Sequence, residues 1–462
     1  MEHYGIISLI PAACVLIIAL ISKRTFEALV GGTLIGFIIW KKSEFFGGFA
    51  DTALKVMGDG TIGWIILVCG LFGSLIALLI RSGGAIAFGN FLVTFIKNRK
   101  SALLTTWILG LVIFIDDYLN ALTVSSSMKK VTDKFKISRE MLAYVVDSTA
   151  APVCVLVPFS TWAVYSGALL ESSGAAEKGQ GLSVYISSIP FMFYAWVAVI
   201  LVPIVALGII PPIFTMKKAE QQVANRSNSN GKTGQITGEV KTELLTPDNE
   251  IAPEAKENPK LYNFLIPIIL LIAATIYFEI DIFKGVLVAI GVSIVMFAAQ
   301  KIMTFGDIFD TLIEGFKTMI LPLAIVVASF MLIEVNNGLG LTSYVIETVK
   351  PLMSGAFLPA VAFISLSIIT FSTGSFWGVY AVAFPIIIPL AQAMNTNLPL
   401  AIGAVISAGA LGSHACFYGD ATVLSAAGSG CSNMNHALTQ IPYAIIAAIV
   451  AFFLFIIAGL ML

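Results

Sequence analysis

Residues 101–130 read SALLTTWILGLVIFIDDYLNALTVSSSMKK, and how this stretch is seated decides the fold. Its first part is apolar as far as Ile115. Asp116-Asp117-Tyr118-Leu119-Asn120 interrupts it, apolar residues resume at Ala121, and Lys129-Lys130 closes it. A helix needs about 20 apolar residues to cross a bilayer, and neither part is clearly a full span. The stretch is either one crossing or a hairpin that dips in and returns to the same side. A hairpin is allowed only where its irregular tip is buried in protein or lines a cavity.

The surrounding chain makes this a membrane question. Of 462 residues, 58% are hydrophobic and 11% are charged, about half the charged share of a soluble domain. The mean hydropathy is +0.94. Long apolar runs recur to the C-terminus, so a single signal peptide does not explain them. The five cysteines (14, 69, 154, 416 and 431) and the three histidines lack metal-ligand spacing. We expect no cofactor and no disulfide framework.

Lysine and arginine placement decides between the two seatings. Crossings are expected near 6–22, 25–40, 61–80, 140–166 and 186–213. With a hairpin at 101–130, the 22 Lys and Arg up to Lys260 divide 18 to 4; with a crossing they divide 15 to 7. The hairpin therefore concentrates positive charge on the cytoplasmic side. It leaves five crossings in the first half, and an odd number inverts the second half relative to the first. The second half then reads as crossings near 261–278, 283–299, 316–334, 397–427 and 437–460, with a hairpin at 355–393. The expected fold is an all-α polytopic membrane protein. It has two inverted repeats with re-entrant hairpins and broken helices, about ten crossings plus two hairpins in all. The repeats are 1–215 and 261–462. Residues 216–260 are rich in Asn, Ser, Gly, Lys, Glu and Pro and read as a flexible hydrophilic cytoplasmic loop. Weak echoes at an offset of about 255–260 support the duplication, such as Phe26-Glu27-Ala28-Leu29-Val30 with Phe283-Lys284-Gly285-Val286-Leu287.

The informative residues are polar groups at membrane depth. An ionised carboxylate there must face water, hold a cation or take up a proton. Asp116 and Asp117 repel one another when both are charged, so the pair suits either a proton or a metal cation. Asn120 adds a neutral amide oxygen. Asp147-Ser148-Thr149 precedes Pro152, which removes a backbone donor and clashes with the carbonyl four residues back. Freed carbonyls beside a carboxylate suit a hard cation such as sodium, for which Asp117, Asn120 and Asp147 are the primary candidate ligands. Ser160 and Thr161 form a second polar patch, which either reaches the cavity or hydrogen-bonds back to the helix. In the second half, Ser372, Thr373 and Ser375 supply uncharged hydroxyls around Gly374. His414 suits a proton shuttle or a structural role. Asp420 is expected to match the region near Ser160 in the first half. The first half carries most of the carboxylates, so the main cation site is expected there, with the second half closing it.

Asp116-Asp117-Tyr118-Leu119-Asn120, Val146-Asp147-Ser148-Thr149-Ala150-Ala151-Pro152 and Ser375-Phe376-Trp377-Gly378 resemble motifs of the NhaC-type sodium/proton antiporters. That family belongs to the wider ion-transporter superfamily. The resemblance covers nearly the whole chain outside the 216–260 loop. It implies a multi-pass protein of a bacterial or archaeal cell (inner) membrane, exchanging sodium for protons. Some members of the family carry organic solutes, and the aspartate-rich tip differs from the better-studied members. A sodium- or proton-coupled transporter of an amino acid or carboxylate therefore stands as the alternative. A channel fits the asymmetric charges less well. No zinc-binding helix, nucleophile elbow or phosphate loop points to an enzyme. The expected partners are sodium, protons and membrane lipid. No basic groove points to nucleic acid, and a fold of this kind is compatible with a homodimer.

Overall fold

The computed structural model describes residues 3–22, 24–228, 260–279, 281–373, 376–417 and 419–462. Among these residues the regular structure is helical, with no strand. The first part of the chain contains α1 (Ile10–Ser22), α2 (Thr25–Lys41), α3 (Phe45–Met57), α4 (Gly60–Arg81) and α5 (Gly84–Val93). Two helices follow, α6 (Arg99–Val112) and α7 (Asp117–Lys134). An interrupted run comes next: α8 (Arg139–Thr149), α9 (Ala151–Leu156) and α10 (Thr161–Ser172). After it come α11 (Gly181–Ser188), α12 (Phe193–Ala206) and α13 (Phe214–Asn228). From Lys260 onward lie α14 (Tyr262–Tyr277), α15 (Ile282–Ala299), α16 (Phe305–Thr318), α17 (Ile320–Gly338) and α18 (Leu341–Val349). The chain ends with α19 (Leu358–Thr373), α20 (Phe376–Ala393), α21 (Leu398–Ala415), α22 (Asp420–Ser429) and α23 (Asn433–Met461).

Eight helices among the described residues are long and apolar enough to cross a membrane, or nine if the bent pair Gly181–Phe191 and Phe193–Ala206 is one span. This is an all-α, multi-spanning membrane fold. The helix α23 shows why the sequence folds this way. Its 29 residues extend about 43 Å at 1.5 Å each, more than the ~30 Å of hydrocarbon. Ile445, Ile449, Phe453 and Ile457 recur every four residues and are half exposed, forming an apolar stripe. His436, Gln440, Tyr443, Ala447, Ala451 and Phe455 form the buried stripe. An apolar outside and a partly polar inside is the pattern of a helix lining a membrane bundle.

The two parts of the chain meet along closely packed helices. A Cβ on Gly73 of α4 would overlap the Gly315 carbonyl of α16, and one on Gly315 would overlap the Gly73 carbonyl. Ser74 Oγ donates to Leu312 O at 2.7 Å across the same contact. Small residues here let the two backbones approach, as packing within a membrane requires.

The segment 101–130 becomes two helices that fold back on each other. Arg99, at the start of α6, donates to Lys136 O just past the end of α7, at 2.8 Å. The segment 355–393 behaves alike: Thr396 Oγ1 donates to Gly355 O at 2.9 Å. The expected crossing at 140–166 is interrupted twice, at Ala150 and at residues 157–160, and α10 continues it to Ser172. The crossing at 397–427 is interrupted between Ala415 and Asp420. The loop expected at 216–260 begins instead as helix α13. Glu220 on α13 pairs with Arg99 and accepts from Ser138 Oγ at 2.8 Å, and these contacts anchor the helix to the α6–α8 corner. Residues 229–259 of that loop lie outside the described residues.

Candidate ion-binding site

The buried polar residues gather around three chain interruptions. The first is the link 113–116 between α6 and α7. Asp116 caps α7: its Oδ1 accepts from the backbone N–H groups of Tyr118 and Leu119, both at 3.0 Å. Its Oδ2 lies 3.5 Å from Thr161 Oγ1, at the start of α10. Thr161 N–H donates to Ile115 O at 3.2 Å, so the start of α10 is fixed directly against the link. Ser160 caps α10, accepting from Ala163 N–H and donating to Cys154 O at 2.6 Å. Cys154 Sγ in turn donates to Phe114 O. Asp117 opens the first turn of α7 and is 5% exposed.

The second interruption is the end of α8. Pro152 supplies no N–H for the turn before it, and α8 stops at Thr149 with Ala150 outside helical geometry. Helix carbonyls near such a stop need other donors. Asn120 provides one: its Nδ2 donates to Thr149 O at 2.8 Å, and also to Gly110 O at 2.8 Å and Ile113 O at 2.9 Å. One side chain thus ties the α6–α7 link to the α8 stop. Its Oδ1 is buried and has no hydrogen-bond partner. Thr149 Oγ1 bonds back to Val145 O and Val146 O, the structural role expected of a helical threonine.

Asp147 lies one helical turn before Pro152 and is fully buried. Its Oδ2 accepts from His436 Nε2 at 3.1 Å and from Gln440 Nε2 at 2.6 Å, while its Oδ1 is buried without a partner. Ser148 Oγ shares a hydrogen bond with His414 Nε2 at 3.0 Å, and His414 Nδ1 with the Tyr194 hydroxyl at 2.6 Å. Asp147, Ser148 and His414 therefore belong to one network spanning α8, α12, α21 and α23.

The third interruption separates Ala415 of α21 from Asp420 of α22. Phe417 O accepts from Asn433 Nδ2 at the start of α23. Ser372 and Thr373 end α19 and donate to Ile368 O and Thr370 O. The end of α19 rests on α21, because a Cβ on Gly412 would overlap Thr370. Asp420 opens α22. Its side chain, and Gly374 and Ser375 entirely, lie outside the described residues.

His436, Gln440 and Tyr194 were not among the expected site residues. His436 and Gln440 stand at i and i+4, on one face of a helix otherwise dominated by apolar residues. That pairing was the available signal. Counting histidines as scattered along the sequence hid it, since Asp147 and His436 are 289 residues apart.

A cavity of about 500 Å³ runs beside α10, from Glu171 and Lys178 at one end to Ala163 at the other. Trp64 of α4 and Asp281 and Lys284 near the start of α15 complete its wall. Ala163, its lining residue nearest the start of α10, lies two residues after Thr161.

Membrane-spanning helices, interrupted at several points around enclosed carboxylates and approached by a cavity, define a membrane carrier. The chain belongs to the Na+/H+ antiporter family, whose family model matches residues 153–460. It is thus a secondary active cation antiporter and a multi-pass inner-membrane protein. An uncharacterised protein of Haemophilus influenzae is 29% identical over 491 residues, covering 98% of this chain and 90% of that protein. The fold is also similar to two solved structures. One is MtrF of Neisseria gonorrhoeae, whose structure illuminates a class of antimetabolite efflux pumps. Its TM-score is 0.57 at 13% identity, covering 90% of this chain and 83% of that one. The other is the YdaH transporter of Alcanivorax borkumensis, with an unusual topology. Its TM-score is 0.59 at 9% identity, with 90% and 88% covered.

Proposed function

We propose that the transported cation is sodium, that it is exchanged for protons, and that Asp117, Asn120 and Asp147 supply its first-half ligands. The observation carrying this reading is a pair of enclosed oxygens, Asn120 Oδ1 and Asp147 Oδ1, which have no hydrogen-bond partner. Leaving a buried polar atom unpaired costs about 1–3 kcal/mol, and more for a charged one. A hard cation, bound through oxygen, is a partner that either can take. With the cation gone, a proton on the carboxylate serves the same end. One site that holds either but not both gives exchange. Asp116, Ser160 and Thr161 shape the neighbouring start of α10, and Ser148 and His414 hold the α8 end in place. Ser372 and Thr373, at the end of α19, close the site from the second half.

The same reading takes 1–215 and 261–462 as inverted repeats joined by the 216–260 loop, with α6–α7 and α19–α20 as re-entrant hairpins. The position of the hairpin bases supports it. The α6–α7 base bonds to α13 through Arg99 and Glu220, and Thr215 of α13 donates to Leu438 O near the start of α23. The α19–α20 base lies at the opposite end of α23, where a Cβ on Gly459 would overlap Ala356 O. Hairpins based at opposite ends of a helix longer than the bilayer is thick enter from opposite faces.

Reconstitution in sealed vesicles with an internal pH dye tests the cargo. Sodium, lithium, potassium and candidate amino acids are added separately. Sodium alone should move protons, and Asp117→Asn or Asp147→Asn, folded by gel filtration, should fall to the rate of empty vesicles. Proton movement that requires an organic solute overturns this reading in favour of solute coupling.

A further inference from the structure

We infer that Gln440 of α23 is a second-half ligand of the transported cation and acts as a clamped neutral oxygen paired with Asn120. This inference rests on the sodium reading above. Gln440 is 1% exposed. Its Nε2 donates to Asp147 Oδ2 at 2.6 Å and to the backbone carbonyl of His414. Both acceptors are oxygens, so turning the amide over would place oxygen against oxygen; the donor must face them. The carbonyl end, Oε1, is thereby aimed away from both, and it is buried with no partner.

Asn120 repeats this arrangement in the first half. Its amide nitrogen faces three backbone carbonyls, which again forces the orientation, and its Oδ1 is buried and unpartnered. Each amide is fixed by its nitrogen and leaves its oxygen uncommitted. Gln440 and His436 also direct their donors onto one oxygen of Asp147, leaving Asp147 Oδ1 as the third uncommitted oxygen. An amide oxygen contributes field without charge. A site with few carboxylates and several such oxygens suits a monovalent cation better than a divalent one, which draws on more carboxylate charge. Gln440 also links the site to the second half, because it is held by the last turn of α21 through His414 O.

The test measures sodium-driven proton flux against sodium concentration for the full chain in vesicles. Gln440→Leu removes the oxygen and should raise the sodium KM about tenfold or more. Gln440→Glu keeps an oxygen there but changes its charge, and should shift the sodium KM at least about threefold. Sodium-dependent thermal stabilisation of the purified protein should follow the same order. An unshifted KM in either folded variant overturns the inference, and if Gln440→Leu does not fold, Gln440→Glu decides alone. Asp147→Asn, run in parallel, separates the two readings. If it keeps full sodium-driven flux, the sodium site itself is misplaced. If it is dead while both Gln440 variants behave as the parent, only the role of Gln440 falls.

Discussion

Asn120 shows how one residue joins fold to chemistry. Its amide oxygen was legible in the sequence as a candidate ligand. Its amide nitrogen was not, because the carbonyl it satisfies at Thr149 lies 29 residues away. The two roles are linked: the nitrogen's bonds aim the oxygen. Asn120→Ala removes the two amide hydrogens shared among three enclosed carbonyls, at about 1 kcal/mol or more per hydrogen bond lost, so we expect about 2 kcal/mol of destabilisation. Its melting temperature in detergent should fall by several degrees, and sodium should no longer stabilise the protein. A variant that melts and responds to sodium like the parent removes Asn120 from both roles. Asp147 was legible through Pro152, because proline breaks a helix by local chemistry. His436 and Gln440, which fix Asp147, were hidden because nothing local marks which helix faces it.

At the scale of elements, the sequence was legible where a local cause stops a helix. Pro152 and the Asp116–Asn120 interruption each mark a break that is present. The short helices α3, α5, α16 and α18 were missed, because they are too short to stand out from neighbouring apolar runs. The crossing count differs for a related reason. About ten crossings plus two hairpins were expected, whereas eight or nine helices qualify by length and apolarity. The helices α1 and α14 have only 13 and 16 residues. If α6–α7 is re-entrant, Lys100→Cys and Lys130→Cys, in a background with Cys14 and Cys431 replaced by serine, should both react with an impermeant thiol reagent from the cytoplasmic side only. Labelling from opposite sides would make this segment a crossing. Packing within the hairpin is tested by Gly110→Val. A Cβ there would overlap Thr149 Oγ1, so the bulkier side chain must push α6 away from the α8 stop. Exchange should drop at least about tenfold while the protein remains in the membrane; parental exchange would show that the contact yields without cost.

For the whole molecule, antiport requires the site to open to one side at a time, so some contacts between its parts must break during the cycle. The α10 helix has a site residue at its start, Thr161, and is followed by Lys178 beyond its end. Lys178 Nζ lies 3.6 Å from Asp59 Oδ2, on the link between α3 and α4. The 500 Å³ cavity lies between α10, α4 and the start of α15, beside this contact. In this structure the contact therefore joins the element that carries the site to the helices packed around it. Screening makes an exposed ion pair worth at most about 1 kcal/mol, so it can break in every cycle without slowing exchange. A covalent bond in its place cannot. In the background lacking Cys14 and Cys431, the pair Asp59→Cys with Lys178→Cys should be bridged by a short bis-methanethiosulfonate reagent, whose span replaces the lost lysine side chain. Sodium-driven proton flux should stop on cross-linking and return on adding a thiol reductant. Full flux through the cross-linked protein, with the bond verified by mass spectrometry, would mean that α10 does not move against α4 during exchange. Opening would then have to be assigned to the α19–α20 side of the site.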